Sequence, residues 1–276
     1  MGRNIVTYHQ LGRYGRFANQ LFQIAGTIGI ARKNGFDFAF PEWKNYDHVE
    51  RFSSQEDIDL QKYFENPLPV YKGPQLPDKF VHWGYHDIKL TQSCSLSGHM
   101  QSMKYFEHCL DEVKWYFRMK DEYPQNDYCA IHVRLGDYDN AYHPRMDMRY
   151  YGPAMERMPT GTKFRVYSDD ISKAKEMFPE TINCEAIQFV VGEGSTDDNW
   201  IPGNYIDEFK SMKACRHFII GNSSYSAMAA ILGEANDKKV IAPAPWFGPN
   251  YTDITGNDIY CPEWTVINYE KKEVVV

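Results

Sequence analysis

Apolar positions along the chain follow two alternating periods. Ile5, Val6, Thr7 and Tyr8 form a β-favouring run, and Gly12-Arg13-Tyr14-Gly15-Arg16 follows it. Phe17, Leu21, Ile24 and Ile28 then recur at helical spacing before a stop at Arg32-Lys33-Asn34-Gly35. The pattern predicts a strand over 4–10, a helix over 17–33 and a strand over 36–40, the opening of an α/β domain. Residues 41–79, with Pro67, Pro69, Pro74 and Pro77, read as turns. A strand is predicted over 80–85, and an amphipathic helix over 101–120 on Tyr105, Phe106, Leu110, Val113 and Phe117.

The polar stretch 120–127, broken by Pro124, sets a boundary between an N-terminal domain, 1–123, and a C-terminal domain, 124–276. Beyond it, strands at 128–134, 163–168, 186–191, 216–220 and 239–242 alternate with helices at 150–158, 172–178, 205–214 and 226–232. Such alternation implies an α/β fold with a mostly parallel sheet covered on both faces. Ligands are then expected at the carboxyl ends of the strands.

Composition narrows the function. The 276 residues are 43% hydrophobic and 24% charged, enough for a sizeable core. A net charge of −7 argues against nucleic acid or an anionic membrane as partner, while leaving room for one basic pocket for a phosphorylated ligand. Aromatics, at 15%, suit sugar faces and nucleobases as well as cores. No apolar run has the length of a membrane span and the N-terminus lacks a signal-peptide core, so a cytoplasmic chain is expected. Six cysteines and nine histidines are scattered without metal-ligand spacing, which predicts reduced thiols and no metal site.

The chemistry concentrates at strand ends. In Cys129–Tyr138, alternation puts Cys129, Ile131, Val133 and Leu135 on one face and His132 with Arg134 on the other. An Arg and a His on a buried face need a partner. A nucleotide diphosphate would serve, with Gly136 allowing close backbone approach; the alternative is an internal pair with Asp137 or Asp139. Tyr167-Ser168-Asp169-Asp170 ends the next strand, with two carboxylates for a ribose, a base or a metal, one of them free to cap the following helix. Asn222-Ser223-Ser224-Tyr225-Ser226 opens a helix and offers an anion site. In the first domain, Asn19 and Gln23 share a helix face behind Gly15 and Arg16.

Together these segments resemble the α-1,2-fucosyltransferase family, inverting enzymes that use GDP-fucose. Gly15-Arg16-Phe17-Ala18-Asn19-Gln20-Leu21-Phe22-Gln23-Ile24-Ala25 is similar to the family's G-R-x-G-N-Q-[ML]-F-Q-Y-A, and Gly98–Phe106 to its G-Y-x-Q-S-x-x-Y-F. His132–Tyr138 fits H-V-R-x-G-D-Y, and the S-D-D and N-S-[ST]-[FY]-S segments follow in order. The resemblance implies two facing Rossmann-like domains (the GT-B arrangement) with the acceptor on the N-terminal side. GDP-fucose would be the donor, with no cofactor and no metal, and a glycan hydroxyl, the 2-OH of a galactoside, would be the acceptor. Oligomeric state is left unassigned.

By the same resemblance, Arg134 grips the β-phosphate, and His132, Gly136, Tyr138, Ser168, Asp169, Asp170, Asn222, Ser223, Ser224 and Ser226 hold the donor, joined by Asp207. Gly15, Arg16, Asn19 and Gln20 approach the sugar. Asp137 is the first candidate for catalytic base, its other role being to hold Arg134. Ala18 replaces the family's second glycine, and Ala227-Met228 replaces a frequent Trp-Trp, which opens the possibility of a different donor sugar. The rival readings are a metal-dependent single-domain transferase and a non-catalytic carbohydrate-binding module.

Overall fold

A computed structural model describes residues 3–45, 58–179, 181–182, 185–190, 204–252, 254, 256–271 and 273–275. Contacts divide the chain into two units, Met1–Asp121 and Glu122–Val276. In unit 1 the predicted opening is present as β1 (Ile5–Thr7), α1 (Phe17–Lys33) and β2 (Asp37–Phe38). A short antiparallel pair, β3 (Lys44–Asn45) and β4 (Ile58–Asp59), precedes β5 (Asp78–Phe80) and β6 (Cys94–Ser97). The order β2-β1-β6-β5 makes a parallel four-stranded sheet. Helix α1 is buried nearly all round, with 14 of its 17 residues buried, as expected of a helix enclosed by its own domain.

The elements after α1 depart from expectation. The strand expected over 80–85 is β5, which ends at Phe80, and β6 was read as no element at all. The helix expected over 101–120 is two 3₁₀ turns, Met103–Tyr105 and Glu107–Cys109, and a short α2 (Leu110–Tyr116). The cause lies on α1. A Cβ on Gly29 would sit 2.0 Å from the Tyr105 carbonyl oxygen, so this backbone lies directly on the helix rather than coiling beside it.

Unit 2 contains β7 (Asn126–Val133), α3 (Met148–Glu156), β8 (Lys163–Ser168) and α4 (Ile171–Met177). A hairpin, β9 (Thr181–Ile182) with β10 (Glu185–Ala186), leads to β11 (Gln188–Phe189). Then come α5 (Asn204–Lys213), β12 (Cys215–Ile219), α6 (Ser224–Leu232), β13 (Val240–Ala244), β14 (Thr265–Asn268) and β15 (Glu273–Val274). The strand expected over 186–191 is thus β11 alone in this sheet, and Val191 lies outside the described residues. The seven strands run β11-β8-β7-β12-β13-β14-β15, all parallel except β15. Strands β14 and β15, which complete one end of the sheet, lie where the pattern predicts no element.

The fold is therefore α/β with mostly parallel sheets. From β7 the chain builds outward through β8 to β11, then returns to build the other way from β12. The reversal places a crevice between the carboxyl ends of β7 and β12, the position where open α/β sheets take ligands. As the alternation predicts, Cys129, Ile131, Val133 and Leu135 enter one core with Tyr150, Tyr151, Phe164 and Val166. Among the described residues, Cys94, Cys109, Cys129, Cys215 and Cys261 are free thiols; Cys184 lies outside them. No helix among the described residues is long and apolar enough to cross a membrane.

Candidate functional site

The β7–β12 crevice gathers most of the chemistry predicted for unit 2. Arg134 follows the last residue of β7, its side chain 19% exposed, and it is doubly paired. Its Nε and Nη2 donate to Asp137 Oδ1 at 3.0 and 2.5 Å, and its Nη1 lies 3.0 Å from Asp169 Oδ2. The internal pairing with Asp137 weighed from the sequence is thus present, joined by Asp169 rather than Asp139. Burial opposes the guanidinium charge, but Asp169 and Asp137 outweigh it and hold the pKa above its ordinary value.

Asp169 does more than pair. It accepts the Leu135 and Gly136 N–H groups at 2.8 and 2.9 Å, fixing the turn that carries Arg134. A Cβ on Gly136 would meet Asp169 Oδ2 at 2.6 Å, so glycine is needed here for the carboxylate rather than for a ligand. Asp170 caps α4 through the Lys173 N–H and pairs with Lys173 Nζ. The Ser168 hydroxyl accepts the Asp170 N–H at 3.1 Å. Of the two carboxylates expected to share out as one cap and one free group, neither is free.

His132 stands beside this cluster, 6% exposed, its Nδ1 buried without a hydrogen-bond partner. Burial first, then the neighbouring Arg134, push its pKa down to about 4, so the imidazole is neutral at physiological pH. Its carbonyl accepts from the Tyr151 hydroxyl at 2.9 Å, and its ring lies 5.6 Å from Tyr225. The Tyr138 ring sits 5.7 Å from the Arg134 guanidinium, and its hydroxyl donates to the Asn222 carbonyl at 2.8 Å, tying the two lips of the crevice.

The opposite lip is the start of α6. Ser223 caps it, accepting the Tyr225 N–H at 3.3 Å. Asn222 is 2% exposed and donates to the Pro144 and Trp246 carbonyls. Ser226 is fully buried and hydrogen-bonds back to Gly221 and Ser223. These three are structural; Ser224 is half-buried on the first turn of α6. With the amides of a nine-residue helix, that lip offers positive potential to an anion.

Asp207 does not join the cluster. Its side chain is 63% exposed and pairs with Lys210. The carboxylate directed inward is its neighbour Glu208, which no sequence motif marks. Burial, then Asp169, push the Glu208 pKa up to about 7. Glu208 also acts electrostatically on Tyr225, the ring that lies against His132. The helical spacing of α5 could have found it: Ile206, Phe209 and Met212 face the core, so position 208 lies nearer the sheet than 207.

The candidates in unit 1 lie at the carboxyl end of β1. Gly15 has φ +81°, and a Cβ there would collide with Asn19. Arg16 is exposed, and Asn19 accepts a hydrogen bond from Gln101 Nε2 at 2.7 Å. Gln20 is fully buried: it donates to the Gly15 carbonyl and accepts from Trp43 Nε1 at 2.7 Å. It therefore positions the loop instead of facing a ligand. Among the described residues, no three of His, Cys, Asp or Glu gather as a metal would require.

The model of glycosyl transferase family 11 matches residues 15–268. An O-antigen biosynthesis glycosyltransferase of Escherichia coli, WbnK, is 30% identical over 129 residues, 44% of this chain and 39% of that protein. An alpha-1,2-colitosyltransferase of Escherichia coli is 28% identical over 127 residues, 43% of this chain and 40% of that protein. The aligned part of the chain thus spans about two fifths of these curated relatives. The crystal structure of NodZ alpha-1,6-fucosyltransferase soaked with GDP-fucose superposes with a TM-score of 0.49 at 12% identity, covering 83% of this chain and 92% of that one.

Proposed function

Because the chain belongs to glycosyl transferase family 11, we propose that it moves L-fucose from GDP-fucose, with inversion, to a glycan hydroxyl, the 2-OH of a galactoside. The observation that carries this reading is the site of Arg134: a guanidinium at the carboxyl end of β7, beside the strand-order reversal and across from the start of α6. Diphosphate departure is the main electrostatic demand of glycosyl transfer, and a preorganised cation meets it. Asp137 takes two of the five guanidinium N–H groups and Asp169 pairs with the charge at Nη1, so N–H groups on Nη1 and Nη2 remain to meet phosphate oxygens. The α6 amides supply the remaining positive potential.

Asp137 is committed to Arg134, and we read it as the residue that aims the guanidinium rather than as the base. His132, with its unpartnered Nδ1, and Glu208 on the far side of Tyr225 suit the edge of a nucleobase. A carboxylate there accepts the adjacent N–H groups of guanine. Such a site needs no metal, since Arg134 and helix amides take the charge a cation would otherwise carry. A second reading, the same transfer with another sugar, is favoured by the relative named as a colitosyltransferase and by Ala227-Met228.

A mass-spectrometric assay of the protein against a panel of nucleotide sugars, with and without chelator, tests both. The expected result is GDP release from GDP-fucose at a rate unchanged by chelator. Turnover of a different nucleotide sugar alone selects the second reading. Turnover of none overturns both, and loss in chelator overturns metal independence.

A further inference from the structure

Three loops meet at the carboxyl edge of unit 1's sheet, after the neighbouring parallel strands β1, β6 and β5. They bring together Tyr14, His99 and Trp83. The His99 ring stacks on Tyr14, with centroids 4.6 Å apart and planes at 29°, and lies 4.8 Å from Trp83 at 33°. Tyr14 is 38% and Trp83 37% exposed, unlike the fully enclosed rings of the core. The fold works to keep these rings half-exposed. Two fully buried glutamines pin the Tyr14 loop: Gln23 Nε2 donates to the Tyr14 carbonyl at 2.7 Å and Gln20 Nε2 to the Gly15 carbonyl at 3.0 Å.

The His99 loop is held as firmly. The buried Tyr8 hydroxyl donates to the Gly98 carbonyl at 3.0 Å, and both neighbours of His99 have positive φ, +116° at Gly98 and +50° at Met100. A positive φ at a methionine is strain of the kind that collects at ligand sites. Beside the rings, the Asn19–Gln101 amide pair presents groups that suit hydroxyls. Burial alone pushes the His99 pKa down to about 4, so the stack is uncharged at neutral pH, and its Nδ1 has no partner.

We propose that Tyr14, Trp83 and His99 form a platform that binds a neutral pyranose of the glycan acceptor. The apolar C–H face of the sugar lies on the exposed rings, and its hydroxyls reach the amide pair. This rests on the glycosyltransferase reading above.

The test is saturation-transfer NMR of the full chain with methyl β-D-galactopyranoside as probe, in wild type, Tyr14→Ala, Trp83→Ala and the bulk-retaining Trp83→Leu, beside calorimetry with GDP and GDP-fucose. Expected is a fall of about tenfold in saturation of the galactoside in each variant, with both nucleotide affinities within about twofold of wild type. An undiminished galactoside signal in Trp83→Leu and Tyr14→Ala overturns the proposal. So does a loss confined to GDP-fucose, which assigns the rings to the donor's own sugar. Wild type that binds GDP without saturating the galactoside removes the platform and leaves the nucleotide reading standing. Saturation without GDP binding upholds the platform and removes the nucleotide reading.

Discussion

Asp169 holds two backbone N–H groups and one guanidinium arm, so its substitution exposes how much of unit 2 depends on a single carboxylate. Asp169→Asn turns one acceptor oxygen into a donor facing an N–H, leaving that group unsatisfied at a cost of about 2 kcal/mol. Thermal melts should show a Tm lower by about 4–8 °C; an unchanged Tm would mean the turn stands without it. Glu208 has the opposite character. Its pKa is raised to about 7, above the unfolded value, so between about pH 4.5 and 7 the native carboxyl keeps a proton that the unfolded one has released. Stability from this group is therefore full at low pH and is lost as pH rises through that window, by on the order of 3 kcal/mol. Glu208→Gln should gain on wild type between pH 5 and 8, read as the difference in Tm at the two ends; parallel profiles would contradict the burial. Strand alternation made the shared place of His132 and Arg134 at the end of β7 legible, whereas Asn222, Ser223 and Ser226, expected at the donor, are taken up by local hydrogen bonds that the motif alone does not reveal. Glu208 was legible only from the buried stripe Ile206, Phe209 and Met212 on α5, which turns position 208 toward the sheet and Asp207 toward solvent.

At the scale of elements, helix α1 is where sequence and structure are most tightly coupled. Gly29→Ala would drive a methyl to 2.0 Å from the Tyr105 carbonyl oxygen, and backbone on both sides leaves little room to relax. A loss of about 3 kcal/mol is expected in denaturant melts. Gly26→Ala should cost less, since the nearest atom, the Met100 Cβ, lies 3.0 Å away and not 2.0 Å. Equal effects would show that the 3₁₀ segment yields as a body. That segment explains the failed helix over 101–120: apolar spacing was present, but the backbone is spent on close contact with α1. Strands β7, β8 and β12 were legible because both faces are buried and turn residues bound them. Strand β6, Cys-Ser-Leu-Ser, hid behind small residues, whereas Thr265-Val266-Ile267-Asn268 carried a β-branched signal that could have marked β14.

Across the whole chain, a net charge of −7 leaves little general attraction for phosphate, so any diphosphate affinity has to come from a local device. Unit 2 places one cation, one helix start and one strand-order reversal at the same edge. The α/β alternation made that edge legible from sequence. Asp137 was legible as a partner of that cation from its spacing, but Asp169 was not, because sequence does not tell a carboxylate that binds a ligand from one that braces a neighbouring side chain. The most direct measurement is calorimetry of GDP against wild type and Arg134→Ala, each shown to be folded by its melt. Wild type should bind GDP and the variant should bind it about 100-fold more weakly, as loss of charge-assisted phosphate contacts requires. Equal affinity in the two proteins, or a wild type indifferent to GDP, would contradict this.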